Sequence, residues 1–314
     1  MLLTKVLITG SSGFLGEFLC EYLSSKDYPV IAHTRAPQVF NHSNIENINF
    51  DLNDDLYSLE LSGVNTIIHC AGRAHVMNET ASSPLDAYRQ INVQGTLNVA
   101  RKAAQSGVKR FIYLSSIKVN GEEATQQTPF TADDQIRTDD PYGLSKYEAE
   151  QALMKLADET GLEVVIIRPV LIYGPNVKAN FKSMVSLSTK KIPLPIGCLD
   201  NKRSMVSVYN LADLIHVCMT HPNAVGQVFL ASDQDDISVK QLFEKLAFLQ
   251  NNKLIVVPIP KYLICFLAGL IGRSAMASRL CSELVVDSSK NTQVLGWKAP
   301  YSTEQSLIKM FREM

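Results

Sequence analysis

The chain carries no excess of either charge: Lys and Arg number 30 against 31 Asp and Glu, a net charge of −1. That balance removes the electrostatic reason to expect nucleic acid as a partner. Small anionic ligands stay open, because a few placed arginines and helix N-termini suffice to bind them. Cysteine is sparse: Cys20, Cys70, Cys198, Cys218, Cys265 and Cys281 lie far apart, with no CxxC and no His/Cys cluster. Neither a zinc site nor a disulfide framework is expected, and no metal. Most of these cysteines sit in apolar runs and read as small core residues in a reducing compartment, the cytoplasm. No apolar run is long enough to span a bilayer. The most apolar late stretch, 254–272, is interrupted by Pro258, Pro260 and Lys261, and what remains, 262–272, is too short. It reads as a core helix, with a membrane-surface or partner-facing helix as the alternative. The N-terminal MLLTKVLITG is too short for a signal peptide and reads as a first strand. There is no internal repeat and no low-complexity tract.

What is present is an alternation of strands and helices. At roughly 150 residues per domain, 314 residues predict two domains or lobes. Hydrophobic residues make up 46% and charged residues 19%, enough for a large buried core. Short apolar runs at 5–9, 30–33, 48–50, 66–70, 110–115 and 164–168 read as strands. Helical periodicity covers the segment after residue 13, then 87–105, and 142–160 before Gly161. Continuous apolar strands separated by helices mean strands buried on both faces, the mark of a parallel, doubly wound Rossmann-like α/β sheet. After Pro169 the pattern loosens, with more Pro, Gly and Lys. This predicts a dinucleotide-binding domain over 1–169 and a smaller C-terminal substrate-binding lobe over 170–314. Segments 206–214 and 228–232 return to the first domain.

TGSSGFLG at 9–16 follows the first strand and opens the first helix. The glycines of this GxxGxxG permit a tight turn, close backbone approach to a diphosphate and close packing of helix on sheet. The helix N-terminus adds N–H groups for the anion. Gly10, Ser12, Gly13, Phe14, Leu15 and Gly16 are therefore candidate cofactor residues. An acidic residue ending the second strand would accept the ribose 2′-hydroxyl of NAD, but His33, Thr34 and Arg35 stand there. Arg35 faces a 2′-phosphate or is a solvated surface arginine. Asp51, followed by Leu52, hydrogen-bonds adenine or starts a turn.

Tyr142 and Lys146 stand at i and i+4 on one helix face. A nearby ammonium favours the phenolate and lowers the tyrosine pKa toward working pH, making Tyr142 a proton acceptor or donor. Ser116, after the fifth strand, can hydrogen-bond the same substrate oxygen. All three converge beyond the carboxyl ends of the strands, where such sheets build their sites.

These motifs, with HCAG at 69–72, NVQGT at 92–96, LSS at 114–116, DPYGLSK at 140–146 and RPVLIYGP at 168–175, resemble the extended short-chain dehydrogenases/reductases that act on nucleotide sugars. The resemblance continues through RSMVSVYNLADL at 203–214 and DSSKN at 287–291 before LGW at 295–297. It implies NAD(H) or NADP(H) as cofactor and a nucleotide-diphosphate sugar as substrate. Tyr142 and Lys146 are then the catalytic pair, with Ser116 as their hydroxyl partner, and Lys146 also holds the nicotinamide ribose. By the same resemblance Cys70, Ala71 and Gly72 line the cofactor and Pro169 lies near the nicotinamide. Asn180 and Arg203 bind the sugar nucleotide, Arg203 at its diphosphate, with Arg279 a further candidate there. His75 reaches the sugar or packs as a loop histidine. A homodimer through the two long helices is a family expectation.

Departures from the family pattern narrow the reaction. Ile117 and Lys118 stand where 4,6-dehydratases carry an Asp-Glu pair, and Ile117 also replaces the cysteine of 3,5-epimerising relatives. Two readings remain. One is 4-keto reduction of a UDP-linked N-acetyl 6-deoxyhexose in surface-polysaccharide synthesis. The other is UDP-glucose or UDP-N-acetylglucosamine 4-epimerisation on retained NAD. The missing acid after the second strand, and Leu171 where 4-epimerases typically have Asn, favour reduction. So do RAHVMNE at 73–79 and SIKVNGE at 116–122, which resemble the reductases most closely. A catalytically silent dinucleotide sensor on the same scaffold is the reading from another class; the retained Tyr142 and Lys146 argue against it.

Overall fold

A computed structural model describes residues 4–35, 40, 43–54, 56, 59–73, 83–136, 138–177, 179–270, 272 and 274–314. The first half alternates regularly: β1 (Lys5–Thr9), α1 (Phe14–Ser24), β2 (Val30–His33), β3 (Ile45–Ile48) and β4 (Val64–His69). Then come α2 (Pro84–Arg89), a π-helical turn (Gln90–Gly95), α3 (Thr96–Gln105), β5 (Arg110–Leu114), α4 (Pro141–Thr160) and β6 (Glu163–Pro169). The second half has shorter strands: β7 (Leu171–Tyr173), α5 (Ala179–Thr189), β8 (Pro193–Leu194), β9 (Lys202–Arg203), β10 (Met205–Ser207), α6 (Val208–Thr220) and β11 (Val228–Ala231). It closes with β12 (Ile237–Ser238), α7 (Val239–Leu249), β13 (Ile255–Val256), α8 (Lys261–Leu270), α9 (Ser274–Cys281), α10 (Ser289–Leu295) and α11 (Thr303–Glu313).

Seven strands form one parallel sheet in the order β11-β6-β5-β4-β1-β2-β3, a Rossmann-like α/β fold. Strand residues alternate between two cores, as the two-residue period of a strand requires. Val6, Ile8, Ile112, Leu114, Val165 and Ile167 pack on the side covered by α1 and α6. Leu7, Ile67, Phe111, Tyr113, Val164 and Ile166 pack under α3 and α4. Burial on both faces is why these strands read as unbroken apolar runs. The order reverses between β1 and β4, so a crevice opens at the carboxyl end of β1.

Two elements differ from the sequence expectation. The third strand lies at Ile45–Ile48 rather than 48–50. It is the sheet edge, with Glu46 and Asn47 exposed, so it lacks the apolar continuity that marks a central strand. Phe50 instead leaves the sheet and stacks on His33 with ring centroids 3.7 Å apart. The helix expected at 87–105 starts earlier, at Pro84, and passes through the π turn before α3. Single π turns of this kind gather at functional sites.

The chain after Pro169 does not stay apart from the sheet. Val228–Ala231 pairs with β6 as its outermost strand, and α6 covers the face shared with α1. The remaining elements build two satellite cores. One centres on Tyr173, Phe181, Leu246 and Leu307, the other on Leu194, Ile196, Phe243, Ile264 and Cys281. Cys20, Cys218 and Cys281 are buried, Cys70 and Cys265 half-buried and Cys198 exposed, and all six are free thiols.

Candidate active site

The glycine loop turns directly off β1. Gly10 has φ +71°, and a Cβ there would stand 2.7 Å from the Ala71 backbone; only glycine fits both conditions. A Cβ on Gly16 would stand 2.3 Å from the Gly10 carbonyl oxygen, so α1 starts as close to the loop as backbones allow. Gly13 caps α1 without any side-chain hydrogen bond, and Ser12 and Gly13 are exposed. The first-turn N–H groups of α1 are thus left for an outside acceptor. Phe14 and Leu15 are half-buried, with Phe14 against Gly174.

Four polar residues hold this crevice in shape. His69 is fully buried between Thr9 (2.8 Å) and Thr96 (3.1 Å). Burial, with the Lys146 charge nearby, keeps its imidazole well below the usual range and therefore neutral. Asn92, on the π turn, accepts the Arg73 N–H at 2.8 Å and donates to Ser145 Oγ at 3.0 Å. This ties the segment after β4 to α4. Gly72 lies between them, where a Cβ would stand 3.0 Å from Asn92 Oδ1 and 3.5 Å from Lys146 Nζ. Cys70 is half-buried, Ala71 buried and Gly72 exposed.

Tyr142, Lys146 and Ser116 come together above β5. Asp140 caps α4 by accepting the Gly143 N–H at 3.2 Å, which fixes the first turn that carries Tyr142. Ser116 stands by the Tyr142 phenol and lowers its pKa, and Tyr88 meets the Tyr142 ring edge-on at 5.7 Å. Lys146 is buried, its Nζ donating to the Leu114 carbonyl at 2.8 Å and lying 4.6 Å from the Tyr113 ring centroid. The expected lowering of the Tyr142 pKa by Lys146 is not what the fold produces. Burial pushes the phenol up to about 12, offset in part by Ser116, with Asp140 and Tyr88 adding to the rise. Burial likewise lowers Lys146 to about 8. The ammonium turns to Leu114, so it does not act on the phenol directly.

Behind this group lies a buried ionic network that the sequence reading missed. Arg168 grips Glu150 with two hydrogen bonds of 2.6 and 2.9 Å, and the Ser115 hydroxyl donates to the same carboxylate. Arg168 also donates to Asn120 at 3.0 Å. Both charged residues are almost fully buried. The signal was present: Arg168 interrupts an apolar strand, and Glu150 follows Lys146 by four residues on one helix face.

The other candidates are placed as follows. Ser11 N–H donates to the His33 carbonyl at 3.0 Å, which sets the end of β2 beside the glycine loop. His33 itself is buried, bonded to the Phe50 carbonyl at 2.9 Å. Arg35, two residues on, is exposed. Asp51 is exposed and closes a local turn, its carboxylate accepting from the Asn53 backbone at 2.8 Å and side chain at 3.1 Å; Leu52 is buried. Pro169 ends β6 and lies buried. Arg203 is half-buried on β9, donates to the Ser282 carbonyl at 3.2 Å and is lowered by burial, with Glu123 opposing. Ser282 and Glu123 line a cleft of about 450 Å³ that also includes Thr125, Asp200, Asn201 and Lys261. Asn180 lies on α5 and Arg279 on α9, but their side chains, like all of His75, lie outside the described residues. Among the described residues no cluster of metal-ligating side chains forms.

Comparisons with known proteins show the family. The family model for the NAD dependent epimerase/dehydratase family matches residues 6–231, and the chain belongs to that family. It is an NAD-dependent enzyme. The UDP-glucose 4-epimerase of Vibrio cholerae is 43% identical over 304 residues, covering 96% of this chain and 92% of that protein. The N-acetyl-alpha-D-glucosaminyl-diphospho-ditrans,octacis-undecaprenol 4-epimerase of Escherichia coli O157:H7 is 27% identical over 320 residues, covering 96% and 93%. The structure of UDP-glucose 4-epimerase from Thermotoga maritima with UDP-glucose superimposes with a TM-score of 0.77 at 22% identity, covering 98% of this chain and 97% of that one. That last likeness concerns the fold.

Proposed function

We propose that the chain performs oxidation and reduction at C4 of a UDP-linked hexose, and that it does so as a 4-epimerase. The observation that carries the chemistry is the grouping of Ser116 and Tyr142 with buried Lys146, at the end of the sheet that bears the glycine loop. The choice of epimerisation rests on the relative in Vibrio cholerae that is 43% identical over 96% of the chain.

The glycine loop fits a dinucleotide. The two places where a Cβ would strike backbone, Gly10 and Gly16, and the uncapped first turn of α1 make a cradle for a diphosphate. Gly10, Ser12, Gly13, Phe14, Leu15 and Gly16 would hold that diphosphate; Asp51 and Leu52 would meet the adenine end. Cys70, Ala71, Gly72, Lys146 and Pro169 would border the nicotinamide ribose. When bound, NAD supplies the hydride acceptor and donor. The chain's own work is proton movement and positioning. Tyr142 takes the proton from the C4 hydroxyl and returns it to the C4 oxygen. Ser116 hydrogen-bonds that same oxygen. Lys146, titrating near 8, carries positive charge at neutral pH behind the tyrosine. With the phenol at about 12 in the free chain, Tyr142 is protonated at rest, and it accepts the C4 proton after releasing its own to solvent, a loss that positive charge brought near it by bound NAD would favour. The second lobe would take the UDP moiety, with Arg203 at its diphosphate. In this reading the protein works in the cytoplasm, as a homodimer through α3 and α4.

A specific feature favours a second reading, 4-keto reduction with released NADP(H). No carboxylate ends β2, whose last residue His33 is bonded to the glycine loop, and Arg35 is exposed two residues further on. The two readings separate in one experiment. The purified chain is analysed for tightly bound NAD and then given UDP-glucose or UDP-N-acetylglucosamine with no added cofactor. Bound NAD and conversion to the 4-epimer support epimerisation. No epimer, together with NADPH consumption on a UDP-4-keto sugar, replaces it with reduction. Inertness toward both classes, with cofactor still bound, leaves the silent dinucleotide sensor.

A further inference from the structure

The sheet and its site leave one part of the molecule unexplained. α8 presents most of its apolar side chains outward: Tyr262 is 76% exposed, Phe266 63%, Leu270 70% and Leu267 47%. Only Ile264 on this helix is buried, packed into the small core with Leu194, Ile196 and Phe243. The paired strands β8 and β13 belong to the same lobe, and Ile192 and Ile255 beside them are 44% and 46% exposed. An isolated surface leucine needs no explanation, but a helix with these four large apolar side chains in water does.

Charge indicates what covers it. The whole chain is balanced at −1. Yet no Asp or Glu stands between Glu163 and Asp200, or between Glu244 and Glu283, the two stretches that build this lobe. Lys182, Lys190, Lys191, Lys253 and Lys261 in these stretches are all exposed. Glu123, Asp200 and Glu283 stay with Lys261 in one cleft, while exposed aromatic and leucine side chains within stretches whose only charges are basic are the chemistry of a helix lying in the interface of an anionic bilayer. Among the described residues no helix is long and apolar enough to cross a membrane, which leaves surface docking. A second protein copy would bring the same positive charge against itself, whereas an anionic lipid surface complements it.

We propose that α8 and the lysines around it dock the protein on the surface of an anionic membrane. The placement bears on the site. Lys261, the first residue of α8, lines the cleft that also holds Asp200 and Ser282. Docking through α8 therefore sets the rim of that cleft next to the lipid headgroups.

The test uses the full-length protein and vesicles, with no turnover measured. Flotation with vesicles of equal parts phosphatidylcholine and phosphatidylglycerol is compared with pure phosphatidylcholine. The protein is expected to float with the anionic vesicles, and high salt is expected to release it. Phe266→Ser with Leu270→Ser lowers partitioning by about tenfold or more, and Lys190→Glu with Lys191→Glu does the same through charge, about fivefold per lysine. NAD affinity of both double variants stays at the wild-type value, which shows that they fold. Equal recovery with neutral and anionic vesicles overturns the proposal. So does sedimentation showing that the α8 variant turns a dimer into a monomer while vesicle binding is unchanged; the patch is then an interface between copies. Because no sugar nucleotide enters the assay, either result is independent of the reaction assigned above.

Discussion

The carboxyl edge of the large sheet and the small lobe around α8 follow opposite rules. At the sheet edge several polar groups are buried with partners: His69 between two threonines, Lys146 on the Leu114 carbonyl, Arg168 on Glu150. At α8 large apolar side chains are exposed, and the stretches 164–199 and 245–282 around it carry lysines and arginines but no Asp or Glu. The first arrangement fixes geometry, as proton transfer requires. The second fixes nothing inside the molecule and is suited to contact with something outside it. Substitutions at the sheet edge should therefore be costly in activity or stability, and substitutions on α8 nearly free in both.

The largest effect is expected at Tyr142. Tyr142→Phe removes one phenolic oxygen, the one beside Ser116. It should lower kcat by roughly 10² to 10⁴ while leaving NAD affinity unchanged. Steady-state kinetics with a parallel NAD titration checks both halves. Wild-type turnover would break the contrast at its strongest point.

Next is the buried pair. Glu150→Ala leaves Arg168 with no carboxylate in a buried site and should cost about 3–5 kcal/mol in denaturant unfolding. Replacing both partners by apolar residues, Glu150→Leu with Arg168→Met, should cost much less, because no charge is then left alone. A double variant as unstable as the single one would show that packing, not the ion pair, sets the cost.

Lys146 gives a pH signature. Its folded pKa of about 8 lies below the ordinary 10.5, so between these values the unfolded chain binds more protons. Wild-type stability therefore gains from this residue as pH rises through that window. Lys146→Met lacks the gain. Relative to wild type, its stability should fall from pH 8 toward 10.5, by about 3 kcal/mol at most. Melting both proteins across the window measures it; parallel curves would mean that Lys146 is not desolvated.

The smallest effect sharpens the comparison from the other side. Phe266→Ser, on a side chain 63% exposed, should change stability by less than about 0.5 kcal/mol and leave turnover unaltered. Thermal denaturation with an activity assay suffices. A loss of several kcal/mol would place Phe266 in a core instead.

Much of the sheet edge was legible in the sequence because its signals are local. A glycine loop between strand and helix, and a tyrosine four residues before a lysine, carry their geometry in their spacing. The Glu150–Arg168–Ser115 network was not read, because its members meet only when α4 packs across β5 and β6. The raised pKa of Tyr142 escaped for a related reason. Spacing put the ammonium on the same face, but only the fold turns it to Leu114 and buries the phenol. The edge strand slipped by a few residues because a half-exposed strand has no continuous apolar pattern. In the small lobe β8 and β13 have two residues each, too short for periodicity. The apolar run before Gly272 was read as a core helix; only its packing reveals that most of it faces outward. The sequence favours reduction on the missing acid after β2, on Leu171 and on the segments 73–79 and 116–122. The 43% identical relative now gives epimerisation the greater weight.

The central claim is that hydrogen leaves and returns to sugar C4 as hydride, with Tyr142 handling only the oxygen's proton. The most direct test places deuterium at C4 of the UDP-hexose that the enzyme turns over, in ordinary water, and follows the label by NMR. The account predicts that the deuterium stays at C4 in the epimerised product and that turnover slows against the unlabelled sugar. Loss of the deuterium to water would mean that C4 is deprotonated, and would contradict it.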